Sequence, residues 1–185
     1  MLTNTHISFA HIFYSYFNNK LNVRLDKKAF IYGNIYPDIY PNKCTADHTL
    51  KGSIGLISKY QDKLINERIS NEEYSTNLGI ICHFICDYFC LYHQESHKNS
   101  SMIEHFVYEL KLDAVFTTLL VSNKLYYERF IQYGNSDIIS LILNMQDKYH
   151  KEKISISRDI QYALAAVLSA AELILSFKAN RSIPA

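Results

Sequence analysis

The sequence is poor in the residues that make sharp turns, with 5 glycines and 3 prolines among 185 residues. A β-sandwich or β-barrel needs many turns with special backbone angles, which glycine and proline usually supply. The glycine patterns of a P-loop and of a dinucleotide-binding turn do not occur either. The shortage predicts an all-α chain whose helices are joined by short loops.

Apolar periodicity and capping signals place the helices along the chain. We expect helices over residues 5–17, 26–32, 49–67, 71–92, 101–120, 123–133, 137–149 and 157–178. Capping-box signatures begin at Ser70 and Ser101. Two prolines four residues apart, shortly after Gly33, predict an ordered loop over 33–41. Because no repeat or linker interrupts the chain, we expect one domain over 1–185, a multi-helix bundle.

Composition and charge limit the classes of function. Hydrophobic residues make up 48% and charged residues 20%, which is typical of a globular protein. The net charge is +1, so the sequence lacks the basic excess that nucleic-acid binding usually requires. A nucleic-acid partner is therefore less expected, and no feature indicates a protein partner.

The compartment is predicted from the amino terminus and the cysteines. The first residues, Met-Leu-Thr-Asn-Thr-His, lack the basic region and cleavage site of a signal peptide. The four cysteines do not form a disulfide framework and suit free thiols in a reducing compartment. The longest apolar stretch, 160–177, carries Gln161 and Glu172, which favours a core helix over a membrane span. We expect a cytoplasmic protein.

The apolar segment 78–92 contains a conflict, because His83 and Asp87 lie in its middle. A buried carboxylate without a partner is very costly, so Asp87 requires a cation or a metal ion. The nearest basic side chains before and after it are Arg68 and Lys98. His83 and Asp87 share one helix face, and a further histidine follows six residues after Asp87, giving the pattern H-x3-D-x5-H.

His105 and Glu109 form a second pair four residues apart, on the next predicted helix. A short connection would make this helix an antiparallel neighbour of the first. Imidazole and carboxylate are the ligands of catalytic zinc, and helix bundles build multi-metal sites from such pairs. Either pair alone fits a buried ion pair or a core histidine with one hydrogen bond. The two pairs together favour a metal site.

With these patterns in view, the chain resembles the zinc-dependent phospholipase C family of bacteria, within the superfamily that includes the P1-type nucleases. The resemblance implies an all-α domain that holds three zinc ions at the bottom of a cleft. It carries over eight side-chain ligands in order along the chain: His6, Asp38, His48, His83, Asp87, His93, His105 and Glu109.

The resemblance also implies a role for each ligand. Asp38, His48, His83 and Asp87 would hold one zinc ion. His93, His105 and Glu109 would hold a second and leave one position open. His6 would hold a third, to which Asp87 bridges and to which the α-amino group of the first residue, here Met1, contributes. Two to three zinc ions are expected, and Asp38 is the family's candidate general base.

The implied activity is hydrolysis of a phosphodiester, either a phospholipid or a soluble one, with peripheral membrane contact through exposed aromatic side chains. The final ligand Glu109, and the short gap before it, match the phospholipases, since the nucleases use aspartate and a longer insert. Cys90 replaces the family's glutamine and either packs, supports a ligand or binds metal itself. Ile39 replaces the tyrosine of choline-specific members, so that specificity is not implied. The alternatives are a single-strand nuclease and a metal-binding homologue without catalysis.

Overall fold

The computed structural model describes residues 1–42, 44, 46–97, 99–131 and 137–181, with side chains as far as residue 177. Within these residues there are seven α-helices and no β-strand, which confirms the predicted all-α class. The helices are α1 Thr3–Asn19, α2 Lys27–Ile39, α3 Leu50–Asn66, α4 Asn71–Tyr88, α5 Met102–Val121, α6 Ile138–Lys151 and α7 Ile156–Arg181. Short 3-10 turns cover Leu91–His93, Glu95–His97 and Tyr127–Phe130.

The helix starts follow the capping signals of the sequence. At α5, the Glu104 N–H donates to Ser101 Oγ and the Ser101 N–H donates to Glu104 Oε2, both at 3.1 Å, which completes a capping box. At α4, Ser70 Oγ accepts from the Glu73 N–H at 3.1 Å. These side chains take up backbone donors that have no partner inside the helix.

The predicted loop over 33–41 is wrong, because α2 continues to Ile39 with Pro37 inside it. Pro37 lies in the last turn, where it removes one N–H, and the Tyr40 N–H still donates to the Tyr36 carbonyl at 3.0 Å.

Two further helix predictions are wrong. Helix α4 ends at Tyr88 instead of residue 92, because the Leu91 N–H donates to the side chain of Asp159 at 2.8 Å. The predicted helix over 123–133 is replaced by the turn Tyr127–Phe130, and its last two residues lie outside the described residues. Asn123 adopts a left-handed conformation with φ 54°, which ends α5.

Helices α2 and α4 cross in direct backbone contact at two glycines. A Cβ atom at Gly79 would lie 2.9 Å from the Cα of Gly33 and from the Asn34 nitrogen, and would collide with the Phe30 carbonyl. A side chain at Gly79 therefore has no room. The contact brings Asp38, near the end of α2, to the face of α4 that carries His83.

Helix α7 packs behind α4 as a core helix. By length and composition, residues 156–177 could cross a membrane. However, 72% of the most apolar 18-residue segment within them is buried inside the protein. Ala163, Leu164 and Leu168 are fully buried. The burial agrees with the prediction of a core helix.

Substitution Gly79→Ala tests the helix crossing. The added methyl group forces α2 away from α4, and we expect the free energy of unfolding to fall by about 1–3 kcal/mol in urea denaturation. The matched control is Gly55→Ala in α3, where an added Cβ meets nothing within 4 Å. There we expect a gain of about 0.5–1 kcal/mol from helix propensity. Equal effects of the two variants would contradict the crossing.

Candidate metal centre

The structure brings all eight side chains of the family pattern into one cluster, although they come from α1, α2, the loop before α3, α4, the turn Leu91–His93 and α5. His6, His83 and Asp87 form a fully buried floor. Above them lies an open pocket of about 260 Å³. Its lining residues are Met1, Asp38, His48, His93, Met102, His105, Phe106 and Glu109.

Asp87 is the centre of the cluster, and its two oxygens face different groups. Oδ1 accepts from the Met1 ammonium at 2.6 Å and lies 3.3 Å from His6 Nε2. Oδ2 lies 2.7 Å from His48 Nδ1 and 3.3 Å from His83 Nε2. Burial alone would raise the pKa of this carboxyl, but the surrounding histidines and the ammonium hold it well below its usual value. A carboxylate placed in this way can bridge two cations.

His83 is held in the orientation of a metal ligand. Its Nδ1 lies 2.8 Å from the backbone carbonyl of Asn34, so Nδ1 carries the proton and donates it to that oxygen. Nε2 is left with a free lone pair, 3.3 Å from His48 Nδ1 and 3.7 Å from Asp38 Oδ1. Burial lowers the pKa of His83 well below its usual value, which keeps the ring neutral. A backbone partner of this kind fixes the tautomer and ring orientation of metal-bound histidines.

His93, His105 and Glu109 form a second group at the mouth of the pocket. Glu109 Oε1 lies 3.0 Å from His93 Nε2 and 2.9 Å from His105 Nε2, and the two histidine nitrogens are 3.2 Å apart. Burial would raise the pKa of Glu109, but the hydrogen bond with His93 and the Met1 ammonium lower it to about 2. The His105 side chain is 36% exposed, so this group faces solvent.

The His6 imidazole forms no hydrogen bond with the described residues. Both ring nitrogens are buried, and Nε2 has only an ion-pair contact, 3.3 Å from Asp87 Oδ1. The ring stacks on His83 with centroids 4.0 Å apart. A buried polar group without a partner costs about 1–3 kcal/mol. A metal ion beside Asp87 Oδ1 would supply the missing partner.

The donor spacing fits zinc. Tetrahedral zinc with bonds to nitrogen of about 2.0–2.1 Å separates neighbouring ligand atoms by about 3.3 Å. The His48–His83 and His93–His105 nitrogens are 3.3 and 3.2 Å apart. In four triplets of residues the ligand atoms all lie within 4.8 Å of one another. These triplets are His6–His83–Asp87, Asp38–His48–His83, His48–Asp87–His93 and Cys90–His93–Glu109.

The amino group of Met1 lies inside the cluster. The spacing of side chains in the sequence does not indicate this position, and only the resemblance implies it. The amino nitrogen is 3.0 Å from Glu109 Oε1 and 3.1 Å from His93 Nε2, in addition to its bond with Asp87. Burial would lower the pKa of this ammonium, but the acidic neighbours raise it to about 12. The ammonium therefore occupies a position suited to a cation.

Cys90 and His97 differ in their distance from the cluster. Cys90 is buried with its sulfur within 4.8 Å of donor atoms of His93 and Glu109. Burial raises the pKa of the Cys90 thiol, so the side chain is a neutral thiol in the metal-free protein. His97 lies outside the cluster and contacts Tyr92 and Ser96.

The comparison with protein families agrees with this geometry. The family model described as zinc dependent phospholipase C matches residues 5–164. The chain belongs to the zinc-dependent phospholipase C family. The matched residues include all eight side chains, which lie between His6 and Glu109. The match continues beyond them into the start of α7. Comparisons with curated proteins and with solved structures found no match. The family consists of zinc-dependent hydrolases, and the donor chemistry of this pocket suits that metal.

Substitution Asp87→Asn tests the centre of the cluster. Loss of the carboxylate leaves the Met1 ammonium buried without its closest partner, and breaking a buried ion pair costs about 3–5 kcal/mol. We expect metal-free Asp87→Asn to lose that much unfolding free energy in chemical denaturation, and its zinc content to fall. The control is Asp147→Asn on the exposed face of α6, where we expect a change within about 0.5 kcal/mol. Unchanged zinc content in Asp87→Asn would show that the cluster is not the metal site.

Proposed function

We propose that this chain is a zinc-dependent phosphodiester hydrolase of the phospholipase C type. The observation that carries the proposal is the convergence of eight imidazole and carboxylate side chains, in a member of this family, on a pocket open to solvent. We propose two to three bound zinc ions and a single domain over 1–185. Bound zinc supplies Lewis acidity at phosphoryl oxygens and lowers the pKa of water.

The contacts support a division of the ligands into three sets. The first set consists of Asp38, His48, His83 and Asp87: the two histidine nitrogens lie against Asp87 Oδ2, and Asp38 Oδ1 lies 4.0 and 3.7 Å from them. The second set is His93, His105 and Glu109, whose donor atoms lie within 3.2 Å of one another. The third set surrounds Asp87 Oδ1 and consists of His6 and the Met1 amino group. Asp87 thereby joins the first and third sets.

Asp38 is the proposed general base. Its Oδ2 accepts from the Thr3 hydroxyl at 3.1 Å, which orients the carboxylate at the edge of the pocket. Asp38 accepts a proton from the attacking water while the water oxygen forms its bond to phosphorus and the ester bond breaks. The proton then passes to the departing alkoxide. The products are a phosphomonoester and an alcohol.

Exposed apolar side chains at the pocket mouth support a phospholipid as the substrate. Met102 and Phe106 line the pocket from α5 and are 87% and 54% exposed, and Ile103 beside them is 77% exposed. Ile39 and Tyr40 follow Asp38 and are also exposed. Exposed apolar patches of this kind mark interaction surfaces. We propose that this rim touches a membrane, on its cytoplasmic side, while the lipid phosphodiester enters the pocket.

Substitution His105→Ala tests the catalytic proposal. Changes beside a metal ligand already cost about 10–100-fold, so loss of a ligand should lower hydrolysis of bis(p-nitrophenyl) phosphate by at least about 100-fold. The matched control is His97→Ala, which removes a partly exposed histidine outside the cluster and should keep full activity. Zinc per chain is measured in parallel by elemental mass spectrometry. Zinc-loaded wild-type protein that cleaves single-stranded DNA faster than phospholipid would favour the nuclease instead.

Substitution Ile103→Asp tests the membrane-facing rim. Burying one isoleucine side chain contributes about 1.5–3 kcal/mol, so its loss should weaken binding to phospholipid vesicles by about tenfold or more. Activity on soluble bis(p-nitrophenyl) phosphate should stay unchanged, because Ile103 does not line the pocket. The control Ile154→Asp alters an isoleucine that is 61% exposed and lies outside α5. Equal losses in both variants would argue against a specific rim.

A further inference from the structure

A second buried carboxylate, Asp159 near the start of α7, lies behind the metal centre. It is fully buried, and it is absent from the donor triplets of the cluster. Five hydrogen bonds reach its two oxygens. The donors are the Leu91 N–H, the Tyr108 hydroxyl, the Tyr149 hydroxyl, and Nε and Nη2 of Arg158.

One oxygen of Asp159 joins the two elements that carry the second ligand set. Oδ2 accepts from the Leu91 N–H at 2.8 Å and from the Tyr108 hydroxyl at 2.7 Å. Leu91 begins the turn that ends at His93, and Tyr108 directly precedes Glu109 on α5. A single buried oxygen thus bonds both to the turn that carries His93 and to the helix that carries Glu109.

The other oxygen is anchored on the scaffold. Oδ1 accepts from Arg158 Nη2 at 2.9 Å and from the Tyr149 hydroxyl at 2.9 Å. The Arg158 guanidinium lies 3.8 Å from the Tyr149 ring centroid, and its side chain is 4% exposed. A buried ion pair contributes little net stability, because desolvation offsets the attraction. A fully bonded one does fix geometry, since each partner has one satisfied arrangement.

We propose that Asp159 is a positioning residue for the metal centre, which holds His93 at the correct distance from His105 and Glu109. This inference rests on the proposed function, because it gives those three side chains a metal to bind. The Leu91 N–H, which would otherwise continue α4, is bonded to Asp159, and this bond ties the start of the turn Leu91–His93 to α7. The polar partners behind metal-bound histidines change metal affinity by about 10–100-fold when they are removed.

Two tyrosines offer a matched test. Tyr108→Phe removes the hydroxyl bonded to Oδ2, the oxygen that holds the turn. Tyr149→Phe removes the hydroxyl bonded to Oδ1, the oxygen on the scaffold side. Each variant loses one hydroxyl and keeps the ring. Zinc affinity is measured by competition with a chromophoric chelator, and thermal stability is measured on the metal-free proteins.

We expect Tyr108→Phe to weaken the binding of one zinc ion by about tenfold, while Tyr149→Phe leaves zinc affinity unchanged. Both should lower the melting temperature of the metal-free protein, because each removes one bond to a buried carboxylate. Asp159→Asn should weaken the same zinc ion by about 10–100-fold and alter the cobalt(II) absorption spectrum at saturating metal. If Asp159→Asn does not fold, the difference in zinc affinity between Tyr108→Phe and Tyr149→Phe tests the positioning role.

Equal zinc affinities of Tyr108→Phe and Tyr149→Phe would overturn the positioning role and leave Asp159 as a purely structural residue. Wild-type protein that binds no zinc at all would instead overturn the proposed function, and this role with it. The two failures are distinguished by the wild-type titration.

Discussion

The carboxylate of Asp87 is the constraint on which the rest of the structure depends. It lies fully buried in α4 among buried apolar side chains, where an anion without partners is untenable. Its partners come from the amino terminus, from α1, from the loop before α3 and from α4 itself. The helices must therefore pack so that these segments converge, and the core is complete only with positive charge at its centre, supplied by the ammonium or by metal.

The fold could be predicted where the information is local. Scarce glycine and proline, apolar periodicity and capping residues indicate most helices and the all-α class. The errors have tertiary causes. Helix α2 continues through Pro37 and packs on α4 where Gly33 and Gly79 let two backbones touch, and no local signal reports that contact. Helix α4 stops at Tyr88 because a carboxylate 68 residues beyond Leu91 takes the Leu91 amide.

The residues of the candidate site also fall into those that local sequence patterns indicate and those that they do not. Histidine–carboxylate pairs four residues apart, as at His83 and Asp87, are visible because the helix places them on one face. His6, Asp38 and His48 stand alone in separate segments, so only the resemblance selects them. Asp159 is not among the predicted site residues, although its signal in the sequence is the same as that of Asp87: a charged residue beside a long apolar stretch. A charged residue in the sequence of a core helix therefore predicts buried polar partners around it.

Helix α5 carries His105 and Glu109 of the candidate metal centre, the proposed membrane-facing rim and the Tyr108 contact with Asp159. Of its twenty residues the structure buries three, Glu109, Leu112 and Phe116, so packing alone holds it weakly. Polar contacts add support, through Glu109 to the cluster, through Tyr108 to Asp159 and through Asp113 to the Thr5 hydroxyl of α1. Its exposed face lines the mouth of the pocket. Because metal binding and lipid contact would act on one lightly packed helix, occupation of the cluster would stabilise the surface that meets the lipid.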